Sequence, residues 1–215
     1  MPHADSLALP AEVQDKRAFY SHVAATLEAL LTPSSPSDPA ANWITCCSNA
    51  ASLLYGSYEN YEAAFGREDG RRVNWAGFYL VPSLLSGSTP SSSPPDQLLL
   101  GPFHGRPACL SVSLVAKPSR LVGVCAAGFL SRETVLVPDV NKRPGHIACD
   151  GVTQSEVVVP VIVKQTKEDG TEEEVVVGVL DIDCEAADAF DEEDAKGLEL
   201  FITALNRVVR WDLPV

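Results

Sequence analysis

Cations are scarce in this chain. Its 215 residues hold 16 lysines and arginines against 29 aspartates and glutamates, a formal net charge of −13. Such a surface repels phosphate backbones and anionic headgroups, so neither nucleic acid nor a membrane surface is expected as a partner. Long apolar runs are missing as well, and none approaches the ~18 residues a membrane span needs. A core is still expected, because 46% of the residues are hydrophobic and a chain of this length buries most of its apolar surface. The opening stretch MPHADSLALPAEVQDK has no basic start followed by an apolar run and no Arg-rich amphipathic pattern. The expected compartment is therefore the cytosol. No Gly-rich phosphate loop and no Gly-x-Ser-x-Gly occur, and the six cysteines (Cys46, Cys47, Cys109, Cys125, Cys149 and Cys184) form no Cys-x-x-Cys. That removes the signal for a zinc ribbon or a thioredoxin-type motif. A disulfide framework is not expected in a reducing compartment, where each thiol can serve as a small buried hydrophobe.

What is present reads as one domain of 16–215 behind an N-terminal tail of 1–15. Residues 16–31 place Phe19, Val23, Leu27, Leu30 and Leu31 at helical spacing behind a cap at Asp15. Pro and Ser then mark a loop insertion at 32–41. From Trp43 to about Phe65 the pattern is helical again, with Ile44, Cys47, Ala51 and Leu54 on one side. VNWAGFYLV, 73–81, reads as a strand. A second Pro/Ser-rich insertion, 82–97, reads as a disordered excursion. LLLGPF and the alternating 109–115 read as strands, GVCAAGFLSRE as a short helix and TVLVPD as a strand.

SEVVVPVIV and EVVVGVLDID flank the polar, Gly-containing KQTKEDGTEE and read as a hairpin. Their near-continuous apolar character implies cover on both faces. The last helix opens at Asp191 with acids in its first turn and buries Leu198, Phe201, Ile202, Leu205 and Val209. Helices at the chain ends with hairpins between them point to an α+β fold: a mainly antiparallel sheet, helices on one face and a loop-covered pocket on the other.

Three thiols sit in distinct settings. Cys109 starts a strand, Cys125 starts a short helix, and Cys149 follows His146 in the loop GHIACDG. A helix N-terminus favours thiolate at Cys125, and a nearby imidazolium would do so at Cys149, where Asp150 opposes it. His-x-x-Cys is a usable metal half-site, but only one close pair is visible, so no metal is expected. A Cys–His hydrolase dyad usually meets through the fold rather than in sequence. Redox chemistry uses more of these residues, because a sulfenic acid needs a second thiol to resolve it. Asp181 and Asp183 alternate on one strand and share a face, where one carboxyl raised in pKa by its neighbours can supply a proton. Trp75 and Tyr79 share a strand face too.

NWAGFYL, LLLGPFHGRPAC, GVCAAG, VPDVNKRPGHIACDGVTQSEVVVPVIV and VGVLDIDC together resemble the free methionine-(R)-sulfoxide reductase family, built on a single GAF domain. The match runs in order from about Asn49 to the last helix. GVCAAG stands where the family has GVCGTA, and the 109–125 stretch is longer than usual. The resemblance implies that Cys149 is the nucleophile, in a loop that closes over free methionine sulfoxide. It implies Cys109 as the resolving thiol, Cys125 as an alternative or second one, and thioredoxin as external reductant with no bound cofactor. Glu156, Asp181 and Asp183 would line the pocket, with Trp75 and Tyr79 as an apolar wall around the S-methyl end. A homodimer is left open. The alternative is a non-catalytic GAF small-ligand or redox sensor, since fold alone does not give function. A pure binding module has no need of three thiols around one pocket.

Overall fold

The computed structural model describes residues 7–33, 35, 37–66, 70–86, 95–116, 122–144, 150–167, 169–211 and 213. In chain order its elements are α1 (Lys16–Leu31), α2 (Trp43–Glu59), α3 (Glu62–Phe65), β1 (Val73–Leu80), α4 (Pro82–Ser86), β2 (Gln97–Gly105), β3 (Ser111–Ser113), α5 (Val124–Ser131), β4 (Val135–Val137), β5 (Ser155–Thr166), β6 (Glu172–Cys184) and α6 (Glu192–Val208). Single 3-10 turns lie at Pro39–Ala41 and Val140–Lys142.

Helix α1 forms where its apolar stripe predicts, with Phe19, Val23, Leu27 and Leu31 buried. Its cap is also the expected one: the Asp15 carboxylate accepts from the Ala18 N–H, satisfying one orphan donor of the first turn. Helix α6 follows the same logic. Asp191 accepts from the N–H groups of Glu193 and Asp194, and Asp194 accepts from the Asp191 N–H. This reciprocal pair holds both ends of the first turn. The stretch 43–65, expected as one helix, is two. The chain leaves α2 at Asn60 and re-enters a helix at Glu62. Ile44, expected on the buried side, is 55% exposed. Trp43, Cys47, Ala50 and Leu54 set the buried face, and one residue along a helix turns about 100° away from it.

The strands make one sheet in the order β3-β2-β1-β6-β5-β4, and every neighbouring pair is antiparallel. Helix α2 packs on β1 and β2, α6 on β5, and α1 lies against both helices. Alternation then decides which side chains meet the helices and which face away. Glu156 pairs with Asp183, and Val158 with Asp181. These four share one face, while Val157, Val159, Leu180 and Ile182 point to the other. Helix α5 packs on β5 and β6, over the first of these faces. Gly128 makes that approach close enough, because a Cβ there would lie 2.8 Å from Val158 Cγ1.

Elsewhere the structure departs from composition. The 82–97 stretch is not loop throughout: Pro82–Ser86 is α4 with Leu84 buried, and Gln97 begins β2. Residues 87–94 lie outside the described residues. In the 32–41 insertion, the Asp38 side chain caps the Pro39–Ala41 turn. Of the expected 109–115 strand, Ser111–Ser113 forms β3, and Leu110 and Leu114 flank it with backbone bonds to Leu100 and Asp96. Half of the KQTKEDGTEE segment is ladder, with Lys164, Gln165 and Thr166 pairing Glu174, Glu173 and Glu172. These ends reach solvent, so their side chains are polar while their backbones continue the sheet. Part of the expected tail is also packed, since Leu9 and Val13 rest against the core. Among the described residues, no helix is long and apolar enough to cross a membrane.

Candidate active site

The β5–β6 register brings together the three carboxyls singled out in the sequence. Glu156 lies opposite Asp183, and Asp181 follows two residues before it on the same face. Glu156 and Asp181 are buried at 5% exposure each. Asp183 keeps some exposed surface, yet almost everything around it is protein. Burial pushes Asp181 up to about 7, with hydrogen bonds to Cys125 and Glu156 pulling against it. Burial, then the charges of Asp181 and Asp183, hold Glu156 well above the usual carboxylate range. Asp183 is raised likewise by burial and then by Asp181 and Asp150. Three acids crowded out of water cannot all ionise, which is the condition for keeping a proton in reserve at neutral pH.

Two thiols join them. Cys109, Cys125, Thr153, Glu156, Asp181 and Asp183 line one cavity, whose room for the centres of water-sized molecules is about 70 Å³. The Cys125 thiol donates to Asp181 Oδ2 at 3.2 Å and lies 3.8 Å from Glu156 Oε1. The expected thiolate character of Cys125 does not hold. Burial first, and the charges of Asp181 and Glu156 next, raise its pKa well above the ordinary thiol value. An eight-residue helix offers only a partial positive charge at its start, and two acids beside the sulfur outweigh it. The donor atoms of Cys125, Glu156 and Asp181 all lie within 4.8 Å of one another. They are the groups a metal ion entering the cavity would meet.

His146 and Cys149 lie outside the described residues, but the residue after Cys149 is firmly held. Asp150 accepts from the N–H groups of Val152 and Thr153, from the Thr153 hydroxyl, and from the Asn74 amide at 3.0 Å. Partial burial raises its pKa, but these bonds outweigh that and hold it below the usual value. Asn74 is 2% exposed and also donates to Thr153 Oγ1 at 2.9 Å. The sequence reading missed Asn74, and also Thr153, Ser111 and Ser113 of the cavity wall. The one signal was an amide inside an otherwise apolar strand, a buried polar group that must find a partner. Trp75 pairs with Asp183 across the ladder, so both lie on one face. The Trp75 ring stacks on Tyr79 and on Phe103. Both expected wall residues are buried and stand outside the cavity lining. Tyr79 reaches the site through its hydroxyl, which donates to the Cys109 carbonyl at 2.9 Å.

No family model matches the chain. Over 180 residues it is 37% identical to the free methionine-R-sulfoxide reductase of Saccharomyces cerevisiae, covering 84% of this chain and 83% of that one. The chain belongs to the free methionine-R-sulfoxide reductase family. Among solved structures, the family's enzyme from Neisseria meningitidis, in complex with its substrate, is 32% identical with a TM-score of 0.63 over 93% of each chain. A structure described as a GAF domain superposes at a TM-score of 0.70 with 34% identity, over 98% of this chain and 97% of that one. The expected α+β GAF architecture is thereby borne out.

Proposed function

We propose that this protein reduces free methionine (R)-sulfoxide with Cys149 as nucleophile, Cys109 as resolving thiol and thioredoxin as reductant. As a family member the chain is an oxidoreductase acting on methionine sulfoxide. The Cys149 thiolate attacks the sulfoxide sulfur, and a carboxyl of the acidic face protonates the oxygen. The protonated oxygen then passes to the Cys149 sulfur as its bond to the substrate sulfur breaks, leaving sulfenic acid on Cys149 and releasing methionine with its sulfur reduced. Cys109 then displaces that oxygen as water, closing a disulfide, and the thioredoxin dithiol reduces that bond. No bound cofactor is needed, and the reducing cytosol suits the cycle. Cys125, protonated beside Asp181, is the second thiol available for resolution.

The observation that supports this reading most is the convergence of Cys109, Cys125 and three acids of raised pKa on one cavity. It also supports the free amino acid as substrate. A bound ammonium relieves the repulsion among Glu156, Asp181 and Asp183 and donates charge-assisted hydrogen bonds to them. A peptide amide leaves them unpaired, a loss worth about a hundredfold in discrimination. The experiment is NADPH consumption coupled to thioredoxin, with free and N-acetylated methionine sulfoxide compared. Turnover of the free compound with at least ~100-fold lower kcat/KM on the acetylated one is expected. Binding without turnover would return the protein to the sensor reading, and equal kcat/KM on both compounds would remove the carboxylates from recognition.

A further inference from the structure

A second pocket lies at the same end of the strands as Asp183, lined by Tyr55, Arg72, Asn74, His104, Arg106 and Glu185 with Gly105, and open over about 430 Å³. Its charge is unusual for so acidic a molecule. Elsewhere Lys16, Arg132, Lys142, Lys164, Lys167 and Arg207 each sit in an ion pair with a carboxylate. Arg72 and Arg106 have no ion pair among the described residues, although Glu185 shares the pocket. Arg72 Nη2 lies 3.5 Å from the Tyr55 hydroxyl, and the Tyr55 ring stands 5.2 Å from that of His104. Two further atoms there are buried without a hydrogen-bond partner: the Arg72 Nε donor and the Asn74 Oδ1 acceptor. A buried donor left unmatched carries its full desolvation cost, and a guanidinium presents its donors as a planar fork that fits an oxyanion.

We infer that this pocket binds a small oxyanion of the phosphate class, held by Arg72 and Arg106 with the Tyr55 hydroxyl and the His104 ring at its side. Among the described residues Glu185 is the one acid in the lining, against two guanidiniums. Binding there reaches the active site through Asn74. The same side chain that walls this pocket donates to Asp150, the neighbour of Cys149, and to Thr153, which lines the catalytic cavity. An anion bound by Arg72 beside Asn74 thus bears on the bonds that hold Asp150 and Thr153.

Calorimetric titration of the full chain with inorganic phosphate, in a buffer without other oxyanions, tests the site without any turnover. One saturable site is expected, weakened at least ~10-fold by Arg106→Gln and by Arg72→Gln, each removing a charge-assisted contact. Arg106 is exposed, so Arg106→Gln carries the test should Arg72→Gln fail to fold. Absence of saturable binding below about 10 mM, or binding equal in wild type and both variants, overturns the inference. The link to catalysis rests on the reductase reading and has its own readout. Saturating phosphate should shift KM for methionine sulfoxide about fivefold in wild type and not in Arg106→Gln. Binding without such a shift overturns the coupling alone, and absence of all turnover counts against the reductase reading while the titration still judges the site.

Discussion

Asp181 holds its proton to about pH 7 because the fold takes it out of water. Its ordinary value is 3.8, so the folded state binds the proton more tightly than the unfolded chain does. The stability this contributes is fully present below pH 3.8 and is lost as pH rises through about 7. At higher pH the ionised, buried carboxylate is a net burden on the empty protein. Asp181→Asn is therefore expected to stabilise the fold at pH 8 by about 1–3 kcal/mol and to have almost no effect at pH 4. Urea denaturation at the two pH values measures this, and an equal effect at both would mean that the carboxyl titrates as it does in water. The same substitution should raise KM for free methionine sulfoxide at least ~10-fold, since it removes a charged acceptor for the ammonium. Function and stability pull in opposite directions at this one side chain. Cys125 belongs to the same balance: its position at a helix start favours thiolate, but burial beside two acids decides its state.

The end helices show how an element is seated rather than merely formed. Helices α1 and α6 cross at Gly197, where a Cβ would lie 2.1 Å from the Tyr20 ring. That contact places the Tyr20 hydroxyl 2.9 Å from Asp194 Oδ1 and 2.8 Å from the Tyr58 hydroxyl. Lys16 closes the cluster with ion pairs to Asp191 and Asp194, so the buried Asp194 carboxylate is matched on several sides. Gly197→Ala should cost about 1–3 kcal/mol through overpacking, more than the ~1 kcal/mol that alanine adds in helix propensity. Chemical denaturation gives the loss. Because the contact lies on the face away from the cavity, kcat/KM of the folded fraction should stay within about twofold of wild type. An Ala variant as stable as wild type would show that α1 can shift aside without penalty.

Across the whole molecule, the charge of −13 sets how partners arrive. Free methionine sulfoxide is a zwitterion without net charge, so the long-range field neither draws it in nor repels it. Its recognition is local, between an ammonium and acids shielded from salt by burial. Ionic strength between about 0.05 and 0.5 M should therefore change kcat/KM for the free sulfoxide by less than about twofold. A steep salt dependence would place the charges that matter on the surface instead of in the cavity.

Local chemistry was legible in the sequence wherever one residue's neighbours in the chain decide its state. Asp15 and Asp191 cap their helices as expected, and the stripe of Leu198, Phe201, Ile202 and Leu205 is buried as its spacing requires. Alternation alone put Asp181 and Asp183 on one face. Composition misled where backbone and side chains answer to different surroundings. Lys164–Thr166 and Glu172–Glu174 are polar because they meet solvent, yet they are strand because their backbones need partners. Ile44 is apolar yet lies outside the face that α2 buries. Tertiary structure decided what no spacing encodes. It placed Glu156 against Asp183, packed Cys125 onto Asp181, and tied Asn74 to Asp150 across 76 residues of chain. Those contacts set which groups hold protons, because a pKa depends on burial and on charges that only the folded chain brings together.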